Sequence, residues 1–86
     1  MTNQLSDEQL IEIAARCDRA TSGPWRSYVE GRDHTSGDSF IMTAGDDIYL
    51  TGGSVHDQDF IANARQDIPM LIAEIRRLHD LLGSQG

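Results

Sequence analysis

Few residues in this sequence are of a type that could do chemistry, and their spacing is poor for it. Three histidines, His34, His56 and His79, and a single cysteine, Cys17, are far apart along the chain. None of them shows the i, i+4 or Cys-x-x-Cys spacing of a zinc site. We therefore predict no metal site and no cofactor, and we place Cys17 in the apolar core.

One dipeptide, His56-Asp57, could point to a hydrolase. The pair is typical of metal-dependent phosphohydrolases, but those enzymes need further His and Asp ligands across a long helical domain. Acidic residues at a helix start are also favoured by the helix dipole alone. Asp46-Asp47 could form an acid–base pair, although adjacent acids in a turn more often shape the turn. We predict no catalytic residue, and a phosphodiesterase acting through His56 and Asp57 is the least favoured alternative.

Arginine beside aromatic side chains is the strongest binding signal. All seven cationic residues are arginine, which excludes Schiff-base and P-loop lysine chemistry. A guanidinium suits bidentate recognition of phosphate, and a neighbouring aromatic ring can stack a base. The competing interpretation makes Trp25 a core residue and Arg26 its solvated neighbour. The predicted ligand site consists of Trp25, Arg26, Tyr28, Asn63 and Arg65.

Length and charge exclude several function classes. A chain of 86 residues forms at most one small domain, so a sizeable pocket has to be shared between copies. The formal net charge of −7 argues against binding of a nucleic-acid backbone. The N-terminal sequence does not have the pattern of a signal peptide, and no apolar run approaches the roughly 20 residues of a membrane span. We expect a cytoplasmic protein without membrane contact.

The first half of the chain predicts one helix followed by three strands. Ser6 to Gln9 has the pattern of a capping box, and an apolar stripe at helical spacing follows it. Gly23-Pro24 ends this helix. Alternating patterns predict strands over residues 25–30, 39–44 and 48–51, the last two joined by a tight turn at Gly45-Asp46 or Asp46-Asp47.

The second half predicts two helices. A short helix over 57–65 is expected to end before Pro69, whose ring clashes with the carbonyl of Arg65, and Asp67 is placed to cap a new helix. The resulting order is α-β-β-β-α-α: a single α+β domain over 1–86, with 1–5 and 83–86 frayed and a three-stranded antiparallel sheet covered by helices. The last helix has the a/d spacing of a helix that packs along another helix, at Ile68, Leu71, Ile75, Leu78 and Leu82.

Two motifs resemble a family of small phage proteins. Ala20-Thr21-Ser22-Gly23-Pro24-Trp25 is similar to the Ala-Thr-Pro-Gly-Pro-Trp that follows an N-terminal helix in Ead/Ea22-like phage and prophage proteins, with Ser22 in place of the usual proline. The segment 57–71, containing Phe-Ile-Ala-Asn-Ala-Arg-Gln-Asp-Ile-Pro, is similar to that family's C-terminal motif. The resemblance implies a phage accessory protein and assigns no catalytic residue.

Together these observations predict a non-enzymatic binder. By analogy with small phage proteins that sequester the nucleotide signals of bacterial immune systems such as Thoeris and CBASS, we expect a homo-oligomer joined through the 68–82 helix. It holds a small nucleotide-like ligand, cyclic or derived from ADP-ribose, in the cytoplasm of the infected bacterium. The alternative is an acidic protein–protein interaction module that inhibits a host protein.

Overall fold

A computed structural model of the chain describes residues 5–35 and 37–84 and shows two helices and two short strands. The elements are α1 (Asp7–Arg19), β1 (Arg26–Tyr28), β2 (Phe40–Met42) and α2 (Val55–Ser84). Their order is α-β-β-α. The predicted order with three helices and three strands is therefore wrong.

Helix α1 begins as the sequence predicts. The Ser6 Oγ accepts a hydrogen bond from the Gln9 backbone N–H at 3.1 Å, and the Gln9 Oε1 accepts one from the Ser6 N–H at 2.8 Å. This reciprocal capping box satisfies N–H groups that have no partner inside the helix. The helix ends at Arg19, and the chain turns through a cis Gly23–Pro24 peptide into β1.

The sheet has two antiparallel strands, with Ser27 opposite Ile41. The expected third strand over 48–51 is reduced to a single bridge, in which Ile41 and Ile48 exchange two backbone hydrogen bonds of 2.8 and 2.9 Å. The turn between them forms. The Thr43 hydroxyl donates a hydrogen bond to the Asp46 carbonyl and accepts one from the Gly45 N–H. Pairing stops after Ile48 because the following residues lead away to the start of α2, through Gly52 at a φ of +83°.

Helix α2 is one continuous helix of 30 residues with Pro69 inside it, so the predicted break and the predicted cap at Asp67 are wrong. Pro69 has no N–H, so the Arg65 carbonyl lacks the hydrogen bond that residue 69 would otherwise donate to it in an α-helix. The helix continues because the bonds on both sides persist and the ring lies in the seam beside Ala14 and Cys17 of α1. Helix α2 begins with a second capping pair, in which Ser54 and Asp57 exchange backbone-to-side-chain bonds of 3.0 and 3.1 Å.

Helix α1 and the sheet pack side by side on α2. Cys17 and Ala20 lie beside Ile61, whereas Ala14 lies beside Arg76, so the two helices run antiparallel. Along its first half α2 also supports β1 and β2. The buried apolar side chains of this junction are Leu10, Val29, Ile41, Ala62 and Ile72.

The buried Gln58 ties the sheet to α2. Its Nε2 lies within hydrogen-bond distance of the Ser27 hydroxyl at 2.8 Å and of the Tyr28 and Phe40 carbonyls, both at 3.1 Å. A polar side chain can be buried in this position because its amide finds hydrogen-bond acceptors there. Of the predicted frayed ends, residues 1–4, 85 and 86 lie outside the described residues, and Gly83 and Ser84 belong to α2.

Candidate ligand-binding groove

A shallow apolar groove of about 250 Å³ runs between α1 and α2, and we call it the α1–α2 groove. Trp25 is one of its lining residues. Most of its lining is aliphatic, with two guanidinium groups among the apolar side chains. The lining residues are Ile13, Arg16, Cys17, Ala20, Trp25, Ile61, Ala64, Arg65 and Ile68.

The charge of this groove is opposite to that of the chain. Its lining contains Arg16 and Arg65 and no carboxylate, although the chain as a whole carries −7. Three other surface grooves each include an aspartate, namely Asp18, Asp38 or Asp57. An anion with an apolar body therefore finds better electrostatic complementarity in the α1–α2 groove than in these three.

The carbonyl of Thr21 places Trp25 next to Arg65. It accepts a hydrogen bond from the indole Nε1–H at 2.9 Å and another from the Arg65 Nε–H at 3.0 Å. The backbone of Trp25 is fixed in turn by Gln66, which bonds its N–H at 2.6 Å and its carbonyl at 3.2 Å. Two residues of the predicted site, 40 positions apart in sequence, are thus side by side and held by the turn after α1.

Arg26 and Tyr28 lie on a different surface. Side chains alternate along a strand, and Ser27 faces α2, so its two neighbours face away from α2. The Arg26 guanidinium lies 5.7 Å from the centre of the Tyr28 ring, which stacks on Phe40 at 5.3 Å. The structure therefore does not bring Trp25 and Tyr28 to the same ligand.

Asn63 is also remote from the groove. It lies two residues before Arg65, a rotation of about 200° around an α-helix. Its Nδ2 donates to the carbonyl of Asp59 on its own helix at 2.8 Å. Of the five predicted residues, the structure gathers Trp25 and Arg65, pairs Arg26 with Tyr28 elsewhere, and leaves Asn63 apart.

Arg16 is the groove residue that the sequence interpretation missed. The sequence places Arg16 in the last turn of α1, where the helix dipole favours a cation. Because the dipole alone accounts for an arginine there, the sequence did not suggest that this side chain also lines a groove. Its neighbours in the groove are Ile13 and Cys17, from the apolar stripe of α1. The detectable signal was an arginine flanking that stripe, but the opposing Arg65 appears only when α1 and α2 are packed together.

Two aspartates at the start of α2 have structural partners: Asp57, from the candidate hydrolytic pair His56-Asp57, and its neighbour Asp59. The Asp57 carboxylate accepts the Ser54 N–H at the start of α2, and this bonding lowers its pKa. Asp59 accepts a bidentate pair of hydrogen bonds from Arg32 at 2.8 and 3.1 Å. That contact, followed by the Ser27 hydroxyl, lowers the pKa of Asp59 to about 2. Both carboxylates are poor general bases, because a base works best with a pKa near the operating pH.

A long apolar surface extends from the groove along α2. Its members follow 3-4 spacing and lie on one side of the helix, and we call them the α2 stripe. The described side chains are only partly covered, with Leu71 60% exposed and Leu82 68% exposed. The stripe consists of Ile61, Ala64, Ile68, Leu71, Ile75, Leu78 and Leu82.

Comparison of the chain with protein-family models, curated proteins and solved structures finds no match. The Ead/Ea22-like resemblance therefore stays a prediction. Within residues 5–35 and 37–84, no group of His, Cys, Asp and Glu side chains could hold a metal ion. In the same part of the chain, neither helix is long and apolar enough to cross a membrane.

Proposed function

We propose that this chain is a non-enzymatic binding protein that sequesters a nucleotide-like anion in the α1–α2 groove and associates with copies of itself through the α2 stripe. The observation that carries the proposal is the placement of Trp25 with Arg16 and Arg65 around an apolar groove without carboxylates. A base stacks against the indole, and the guanidinium groups hold the phosphate.

The biological setting belongs to the same proposal. The phage resemblance and the small size favour an anti-defence protein that removes a cyclic or ADP-ribose-derived immune signal in the cytoplasm of an infected bacterium. Sequestration needs affinity and no bond-breaking step, which fits a groove whose charged groups are all arginine. The bound ligand is expected to be recovered chemically unchanged.

Intrinsic fluorescence tests the ligand directly, because Trp25 is the only tryptophan. The protein is titrated with cyclic dinucleotides, 3′,5′-cyclic AMP and ADP-ribose, and with adenosine and inorganic phosphate as partial probes. We expect a saturable change with at least one phosphorylated nucleotide and a much weaker response to either partial probe. Silence across the whole panel would contradict the nucleotide proposal.

Two arginines of α1 provide a matched pair of variants. Arg16→Gln removes a groove guanidinium, and Arg19→Gln removes an exposed one from outside the groove lining. A charge-assisted hydrogen bond is worth about 1.5–3 kcal/mol, so Arg16→Gln should weaken binding by roughly 10–100-fold. Arg19→Gln should stay close to wild type, and equal losses in both variants would mean that only the general charge matters.

A second candidate function is an interaction module for a host protein. The exposed α2 stripe favours it, because contiguous apolar patches on a monomer commonly mark protein interfaces. The net charge of −7 suits a basic partner, with binding that weakens as salt rises. Sedimentation equilibrium of the purified chain separates the two: self-association supports the first proposal, and a strict monomer favours the module.

A further inference from the structure

We infer that a cleft beside Tyr49 binds an arginine side chain of a basic partner protein. The cleft has a volume of about 400 Å³ and lies where the segment after β2 meets the start of α2. It shares no lining residue with the α1–α2 groove, so this inference and the proposed nucleotide binding can fail independently. We call it the Tyr49 cleft, and its lining includes Asp38, Tyr49, Thr51, Ser54 and Val55.

A row of aromatic rings crosses the outer face of the sheet and ends at this cleft. Tyr28 is opposite Phe40 in the strand register, and their rings stack with centres 5.3 Å apart. The Phe40 ring meets the Tyr49 ring at 6.0 Å, because the Ile41–Ile48 bridge puts Tyr49 opposite Phe40. Tyr49 is 59% exposed, so the ring at this end of the row is open to a ligand.

The other end of the row already holds a guanidinium. Arg26 lies 5.7 Å from the centre of the Tyr28 ring, which is within the range of a cation–π contact. Within the described part of the chain, the lining of the Tyr49 cleft contains no arginine. Tyr49 therefore offers a ring of the same kind, and the guanidinium that stacks on it has to come from another molecule.

The charge of the cleft favours a cation and the geometry favours arginine. The Asp38 carboxylate lines the cleft beside Tyr49, and it belongs to none of the ion pairs among residues 5–35 and 37–84. A guanidinium can donate two hydrogen bonds to a carboxylate and at the same time stack its flat face on a ring. The ammonium of lysine has neither the planar fork nor the stacking face.

The start of α2 does not make the cleft an anion site. Ser54 and Val55 lie at its edge, where the helix dipole favours a negative charge. The chain supplies that charge itself, because the Asp57 carboxylate accepts the Ser54 N–H at 3.0 Å. The Ser54 hydroxyl in turn accepts the Asp57 N–H at 3.1 Å. The Asp38 carboxylate therefore remains the charge that a ligand of the cleft meets.

The surface around the cleft favours a polypeptide over a free small cation. The aromatic row continues from Tyr49 across the sheet, and Met42 beside it is 37% exposed. A free amino acid fills the cleft alone, whereas a segment with an arginine in the cleft also covers part of the row. The net charge of −7 attracts a basic protein over a longer distance.

Backbone amide shifts in a ¹H–¹⁵N correlation spectrum of the full chain test the inference. The probe is a synthetic peptide of uncharged residues with one central arginine, and matched peptides carry lysine or the neutral isostere citrulline instead. We expect the arginine peptide to shift the amides of Asp38, Tyr49 and Thr51 in a saturable way. The lysine peptide should bind roughly 2–5-fold more weakly, and citrulline and free arginine should also bind more weakly than the arginine peptide.

Two pairs of variants locate the site. Tyr49→Leu should weaken binding of the arginine peptide roughly 2–5-fold, whereas Phe60→Leu removes a ring that is 75% exposed but outside the cleft and should have no effect. Asp38→Asn should weaken binding by up to roughly 5-fold. Asp18→Asn changes the net charge equally and should not. All four side chains are exposed, so thermal melts should stay close to wild type.

Several results would overturn the inference. An arginine peptide that binds no better than the lysine or citrulline peptide removes the arginine site, and equal losses in Asp38→Asn and Asp18→Asn reduce the binding to general charge. Free arginine that binds as tightly as the peptide makes the occupant a small cation. Shifts of the cleft amides with protein concentration alone make the occupant a second copy. None of these results changes the response of Trp25 to nucleotides, so the two proposals are judged separately.

Discussion

The side chain of Gln66 binds both backbone polar groups of Trp25. Its Oε1 accepts the Trp25 N–H at 2.6 Å, and its Nε2 donates to the Trp25 carbonyl at 3.2 Å. The amide thus pairs with the chain just before β1 in the way that a neighbouring strand does. A helix that is not part of the sheet therefore fixes the position of the groove tryptophan.

We expect Gln66→Ala to destabilise the fold by about 1–3 kcal/mol, because it leaves two partly buried backbone groups without partners. For a domain of this size that corresponds to a fall in melting temperature of roughly 4–20 °C, measured by circular dichroism at fixed protein concentration. The Trp25 emission maximum should shift as well. Asn63→Ala is the control, since Asn63 is exposed and bonds only its own helix. If Asn63→Ala lowered the melting temperature as much as Gln66→Ala, the stabilising role of the Gln66–Trp25 hydrogen bonds would be refuted.

The Arg32–Asp59 pair should make stability depend on pH in the acid range. Bonding to Arg32 lowers the pKa of Asp59 to about 2 and also lowers the pKa of Asp33. A carboxylate with a depressed folded-state pKa stabilises the fold above its ordinary pKa of about 3.9 and loses that contribution as pH falls towards 2. The melting temperature should therefore drop between about pH 4 and pH 2.

Asp59→Asn tests this assignment. The variant should melt lower than wild type near neutral pH and show a shallower slope below about pH 4, because the titrating group is gone. Since the pair is exposed to solvent, the effect should shrink in high salt. Asp67→Asn is the control on the same helix and should keep the wild-type slope. If the melting temperatures of wild type and Asp59→Asn fell in parallel as the pH was lowered, the prediction would be contradicted.

The α2 stripe can be tested with two adjacent residues of similar exposure. Leu71 is 60% exposed and belongs to the stripe, whereas Met70 is 65% exposed and lies about 100° away around the helix. Leu71→Asp should shift the sedimentation equilibrium towards monomer, because it buries an unpaired charge in the proposed interface. Met70→Asp should leave the association unchanged. Equal behaviour of the two variants would place the interface elsewhere.

The start of α1 offers a prediction about stability alone. Ser6→Ala removes the hydroxyl that caps the Gln9 N–H and should cost about 1 kcal/mol. Ser6→Asp should retain most of the stability, because aspartate is an equally good N-cap. Thermal melts of both variants give the comparison. A Ser6→Ala chain as stable as wild type would show that the capping box contributes little.

Local patterns predicted the local elements well. The capping box at Ser6, the end of α1 before Gly23-Pro24 and a tight turn within residues 45–47 depend on neighbouring residues, and all three are present. Within the predicted strand, side-chain alternation puts Ser27 and the buried Val29 on the same face, which meets α2. These features follow from hydrogen bonding and side-chain alternation within a few residues.

The two errors in the fold arose where tertiary packing overrode a local rule. Pro69 should break a helix, yet α2 continues through it, because one missing hydrogen bond costs less than the apolar seam with α1 contributes. The segment 48–51 has strand character, yet only Ile48 pairs, because the chain must leave the sheet to reach Ser54 and the start of α2. Neither constraint is visible within a short sequence window.

For the candidate site, the sequence by itself determined the residue types: seven arginines without lysine, one tryptophan, and a heptad-spaced face on the last helix. Only the tertiary structure decided which of them meet. Antiparallel packing of α1 on α2 brings Arg16 to Arg65 and Trp25, while strand alternation sends Arg26 and Tyr28 to the opposite surface. The physical reason is that a groove is formed by the packing of elements that are distant in sequence. Composition and periodicity show only which side chains lie on each face of a single helix or strand.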